Sequence, residues 1–107
     1  MNPPDSPNQP DISIFEQTGS FAENKDIARR LREEVIIPAL RSGQAVRIDF
    51  SQVTGATQSF IHALISGPIR QFRAFALDNL LFENCNAEVQ AVVRIVFAYM
   101  QESMDDS

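Results

Sequence analysis

His62 is the single histidine of the chain and Cys85 its single cysteine. A catalytic or metal-binding histidine works with companions at fixed spacing, such as a second histidine one helical turn away, a carboxylate or a thiolate. No such companion accompanies His62, which reads as a surface or half-buried side chain on the flank of a helix. Cys85 stands just before Asn86, a residue suited to capping a helix, and a helix N-terminus can lower a thiol pKa. With no base close by in sequence, the expected role of Cys85 is that of a small core residue. A lone cysteine forms no intrachain disulfide, so nothing in the sequence implies an oxidising compartment. Glu33–Glu34 and Asp105–Asp106 are adjacent carboxylates. Neighbours on a helix point about 100° apart, so neither pair can share a proton or straddle a bond.

The segment that stands out runs from Asp49 to Phe60. Its hydroxyl residues Ser51, Thr54, Thr57 and Ser59 fall between the end of an expected strand and the start of an expected helix. In open α/β sheets this carboxyl end of the strands is where ligands and partners bind. A helix N-terminus also favours negative charge, so a phosphate on Thr57 or Ser59 could be accommodated. Asp49, Ser51, Thr57, Gln58 and Ser59 are therefore the candidate interaction or phospho-loop residues. The chain has no Walker loop, dinucleotide fingerprint or nucleophile elbow, and Gly55 alone is too little for a phosphate loop. No catalytic residue, cofactor site or metal site is expected, and the chain is not expected to be an enzyme.

The elements that must position this segment can be read from periodicity. Asp11–Glu16 reads as a first strand, with Ile12 and Ile14 alternating with Ser13. Ser20 and Glu23 have capping-box spacing and Asn24 is a second candidate cap. A helix is expected from about Glu23 to Leu40, with Ile27, Leu31, Val35 and Ala39 on its apolar stripe. Pro38 should kink or tighten its last turn. Ala45–Phe50 is the clearest strand. Val46, Ile48 and Phe50 share one face, while Arg47 and Asp49 on the other imply a partly open face or pairing with neighbours. Thr57 can cap a second helix, Gln58 to about Phe72, in which Pro68 predicts a kink or a stop and restart. Asn79–Cys85 holds a third strand. Asn86 can cap a third helix, along which Val89, Val92, Val93, Val96, Phe97 and Met100 recur with helical spacing.

Strands alternating with helices imply parallel pairing through right-handed crossovers. The expected fold is thus a small β-α-β-α-β-α domain of the α/β class, with a mainly parallel or mixed sheet packed against helices. Residues 1–10, rich in proline and almost free of apolar side chains, read as a flexible tail and not as a signal peptide. Residues 11–103 form the domain, and 104–107 read as a second tail. The 107 residues suffice for a core, with eight phenylalanines supplying bulk in the absence of tryptophan. The net charge of -5 argues against a general nucleic-acid binder, whose partner demands a clustered positive surface. No stretch approaches the ~20 apolar residues of a membrane span. A cytoplasmic location is expected.

Asp49-Phe50-Ser51-Gln52-Val53, followed by Ser59-Phe60 at a helix start, resembles the STAS superfamily of sulfate-transporter and anti-sigma-factor-antagonist domains. Those domains carry a strand ending in Asp-(Leu/Phe)-Ser, a short loop, and Asp-Ser-(Ser/Thr)-Gly opening a helix. The chain is more similar to the small STAS-like family in which a Ser-Phe pair opens that helix. The similarity extends from the first strand, through Asn24 to Leu40, to Phe82-Glu83-Asn84. It implies a protein-interaction role, with a GHKL-type, histidine-kinase-like ATPase as partner. In antagonist domains, phosphorylation of the first motif serine releases that partner. Here Thr57 stands at the aspartate position, Gln58 at the phosphoacceptor position and Phe60 at the glycine position. Gln58 cannot accept a phosphate, so only Ser59 or Thr57 could stand in. The alternative roles are a homodimer or a small-ligand binder using the same crevice.

Overall fold

Val46–Asp49 forms β3, the centre of a three-stranded sheet, and its alternating burial follows its sequence. The structure is a computed structural model that describes residues 10–105, with side chains described to Glu102. β3 lies between β1 (Asp11–Ser13) and β5 (Leu80–Glu83), and both pairings are parallel. The register sets Ile12 beside Ile48 and Phe82, and Val46 beside Leu80. Residues aligned in a ladder share a face, so these five form the apolar face on which the helices pack. Asp11, Ser13, Arg47, Asp49, Leu81 and Glu83 form the other face, all of them exposed or half-buried. Arg47 there lies 3.4 Å from Glu83 and 3.8 Å from Asp11, one on each neighbouring strand. The two sequence expectations for Arg47 and Asp49, an open face and pairing with neighbours, therefore both hold.

The first expected strand is shorter than its apolar alternation suggests. Ser13 accepts the Glu16 N–H at 3.2 Å and starts a short helix, α1 (Ile14–Thr18). Ile14 is fully buried all the same. Alternation reports burial, and one turn of helix satisfied it as well as a strand. Ser20 and Glu23 form no capping box. The chain instead makes β2 (Phe21–Ala22), and Asn24 caps α2 (Lys25–Leu31) by accepting from Asp26 and Ile27.

The long first helix is interrupted. After α2 the chain widens into a π-helical turn (Arg32–Ile36) before α3 (Ile37–Arg41). Ile37 donates to the Arg32 carbonyl five residues back. Pro38 has no N–H to return to Glu34, and the chain widens ahead of the proline, where a kink or a tightened last turn was expected. Of the two outcomes expected at Pro68, the stop and restart does not occur. α4 (Gln58–Phe72) runs through it without restarting. Leu64, Ile65 and Ile69 around it are fully buried and hold the helix in place. Arg32 reaches this region and donates to the Ala63 carbonyl at 3.3 Å.

A short helix, α5 (Ala74–Asn79), that the sequence did not announce precedes β5. Arg73, at φ 56°, makes the turn into it. The last helix, α6 (Ala87–Asp105), starts at Asn86, whose Oδ1 accepts the Val89 N–H at 2.8 Å. It extends two residues into the segment read as a C-terminal tail. Of the expected N-terminal tail only Pro10 lies within the described residues, where its carbonyl accepts the Arg47 N–H. Phe50 and Phe60 are fully buried, and Phe82 stacks on Phe50 and meets Phe97 of α6 edge-on. Among the described residues, no helix is long and apolar enough to cross a membrane.

Candidate functional site

The loop from Phe50 to Thr57 is fixed at each end and in its middle. Asp49 Oδ1 accepts the Ser51 N–H at 2.9 Å, folding the chain back as an Asx turn, and also accepts from Asn84 Nδ2 at 2.9 Å. Asn84 stands at φ 59°, a conformation asparagine tolerates better than most residues. The bond from Asn84, then that from Ser51, holds the Asp49 carboxyl below the usual aspartate range. Asp49 thus ties the end of β3 to the turn after β5. Val53 is buried beneath the loop and donates to the Phe50 carbonyl.

Further along, Thr54 donates to the Ser20 carbonyl through both its N–H and its hydroxyl, at 2.7 and 3.0 Å. Gly55–Ala56 forms β4, paired in parallel with β2, Phe21 beside Gly55 and Ala22 beside Ala56. A Cβ on Gly55 would stand 2.8 Å from Phe21 Cε1, so the missing side chain is what lets the Phe21 ring lie there. Asn86 Nδ2 donates to the Thr54 carbonyl, which binds the loop to the start of α6. Thr57 then caps α4, its hydroxyl oxygen accepting the Phe60 N–H at 3.0 Å, while its own N–H donates to the Ala22 carbonyl.

The five candidate residues therefore separate into two groups. The side chains of Asp49 and Thr57, and the backbone of Ser51, are engaged in holding the loop. Gln58 and Ser59, at the first two positions of α4, are exposed. They line a half-open cleft of about 480 Å³ with Lys25, His62, Ile95, Val96 and Tyr99. The cleft thus joins the start of α2, the first turns of α4 and the middle of α6. His62 and Tyr99 face one another across it, ring centroids 6.3 Å apart. Ile95 is 50% and Tyr99 61% exposed, and Phe21 is 48% exposed on its bracket.

Sequence reasoning did not find Lys25, Ile95 and Tyr99. A signal for the last two was present. They lie four residues apart, just outside the core stripe of α6, where an exposed helix face is ordinarily polar. The lining contains no carboxylate, so the cleft offers a cation, an imidazole, a hydroxyl and an apolar wall. Those groups can bind and orient a partner group. Among the described residues no cluster of three His, Cys, Asp or Glu is placed to hold a metal ion. Cys85 lies apart from this cleft, half-buried against the core. Burial, and next the charge of Asp49, push its thiol pKa up, away from reactivity.

The strand, the loop and the start of α4 fall inside a recognised family, while Lys25, Ile95, Val96 and Tyr99 of the cleft lie outside the matched span. A family model described as STAS-like domain of unknown function (DUF4325) matches residues 28–90. The chain belongs to this STAS-like family. The matched span runs from α2 to the first turn of α6 and includes Asp49 to Ser59. Comparisons with curated proteins and with solved structures give no match.

Proposed function

We propose that the chain is a non-catalytic, cytoplasmic protein-interaction module whose docking face is the start of α4 together with the flanking face of α6. The observation that carries this reading is the exposure of Gln58 and Ser59 on a helix start anchored by three other segments, beside the exposed apolar side chains Ile95 and Tyr99. A rigid face with apolar anchors loses little conformational entropy on binding. Membership of the STAS-like family, with the resemblance to antagonist domains, supports a histidine-kinase-like ATPase as the partner in a partner-switching pair. The test is titration calorimetry of the purified chain against such an ATPase encoded near it. Gln58→Glu with Ser59→Arg should abolish binding and leave the circular dichroism spectrum and melting temperature unchanged. Unchanged affinity in that variant removes the site assignment.

Regulation of this face by phosphate centres on Ser59. The Thr57 hydroxyl is half-buried and already serves as the α4 cap, whereas the Ser59 side chain is exposed with no hydrogen bond to a described residue. Incubation with ATP and the ATPase should add a single phosphate at Ser59, read by mass spectrometry. An unmodified mass under conditions where the two proteins bind would eliminate the switch while leaving the docking reading intact.

A further inference from the structure

We propose that the α4–α6 cleft face pairs with a second copy of itself, giving a two-fold homodimer. The inference does not depend on the ATPase reading. Ile95 and Tyr99 are the two most exposed large apolar side chains of the described residues, and they sit together on one side of α6. Glu102 lies three residues beyond Tyr99 and seven beyond Ile95, hence on that same side. Lys25 lies across the cleft from them. Both Glu102 and Lys25 are exposed, and neither is ion-paired with a described residue.

Two chains of net charge -5 repel one another, so a self-pairing face must set local positive charge against local negative charge. This face carries both signs, separated by an apolar patch. An isologous interface makes every contact twice, once in each direction. If two α6 helices cross antiparallel with the axis at Tyr99, the residue three beyond Tyr99 in one copy faces the residue three before it in the other. Glu102 then comes opposite the α6 turn of Ile95 and Val96, the first exposed and the second buried, both of which line the same cleft as Lys25. One crossing therefore buries Tyr99 against its symmetry mate and brings the mate's carboxylate to each lysine. Self-pairing and partner docking use the same residues, so the two exclude one another.

The test is sedimentation velocity on the full chain from about 1 µM to about 1 mM. The expected mass rises from one chain to two across the range. Lys25→Glu and, separately, Tyr99→Glu should each weaken association about tenfold or more. Lys25→Glu combined with Glu102→Lys should regain most of the lost affinity, because the charges are exchanged and not removed. These side chains are exposed, so circular dichroism should show each variant folded. A single-chain mass throughout the range overturns the proposal. So does a dimer indifferent to both single substitutions, or a charge exchange that restores nothing.

Discussion

Replacing Asp49 tests whether the Asp-Phe-Ser turn is a fastening and not a contact surface. Asp49 Oδ1 accepts two hydrogen bonds, from Ser51 N–H and from Asn84 Nδ2, each 2.9 Å long. A hydrogen bond contributes a net ~0.5–1.5 kcal/mol, more when one partner is charged. The site is partly open to water, which replaces part of what is lost, so Asp49→Ala should cost about 1–2 kcal/mol. In a domain of this size that lowers the melting temperature by about 5–10 °C. Asp49→Asn keeps an oxygen able to accept both bonds and loses only the charge, so its cost should be under about 1 kcal/mol. Asn84→Gly removes the side-chain donor and keeps the left-handed backbone, and combined with Asp49→Ala it should be less than additive, because the two changes delete one shared bond. The pH dependence has a definite sign. The native carboxyl titrates below the usual aspartate range, so its charged form contributes stability above that range, and this contribution is lost as pH falls through the native value. The difference between wild type and Asp49→Asn should therefore shrink on acidification. Thermal melts across a pH series read all of these quantities. Wild-type stability in Asp49→Ala at neutral pH, or full additivity with Asn84→Gly, would refute the fastening.

Other predictions follow from single contacts. Thr57→Ala removes the α4 cap and should cost about 1 kcal/mol in denaturant titration, with Thr57→Ser close to wild type. Gly55→Ala puts a methyl within 2.8 Å of the Phe21 ring. Because that ring is exposed and can swing away, the melt should change by no more than about 0.5 kcal/mol, while NMR shifts of the Phe21 ring move. A large destabilisation would mean the ring is held. Cys85 should react with iodoacetamide more slowly than a free thiol at the same mildly alkaline pH, and at the ordinary rate once urea unfolds the chain, as followed by mass spectrometry.

Much of the fold was legible because side-chain chemistry alone imposes it. Val46, Ile48 and Phe50 define the central strand by period. Thr57 and Asn86 cap α4 and α6 because a short oxygen-bearing side chain at that point satisfies orphan backbone N–H groups. The apolar run from Val89 to Met100 can bury itself only as a helix. These local rules fix the alternation of strands and helices, and with it a parallel α/β arrangement. They also place Gln58 and Ser59 at a helix start.

Tertiary structure decided the rest. Ile12 and Ile14 show the same alternation whether the chain continues as a strand or turns into α1, since both bury the same two side chains. Pro38 and Pro68 each remove one backbone donor, yet the first widens a helix and the second is absorbed by it. Packing around each proline, not its own geometry, sets the outcome. The division of the candidate residues between fastening and display likewise depends on Asn84, Ser20 and Ala22, which are distant in sequence. The cleft itself joins Lys25, Ser59 and Tyr99 from three helices. Periodicity marks which face of each helix is buried, but only the packing of the three against one another decides which exposed side chains meet.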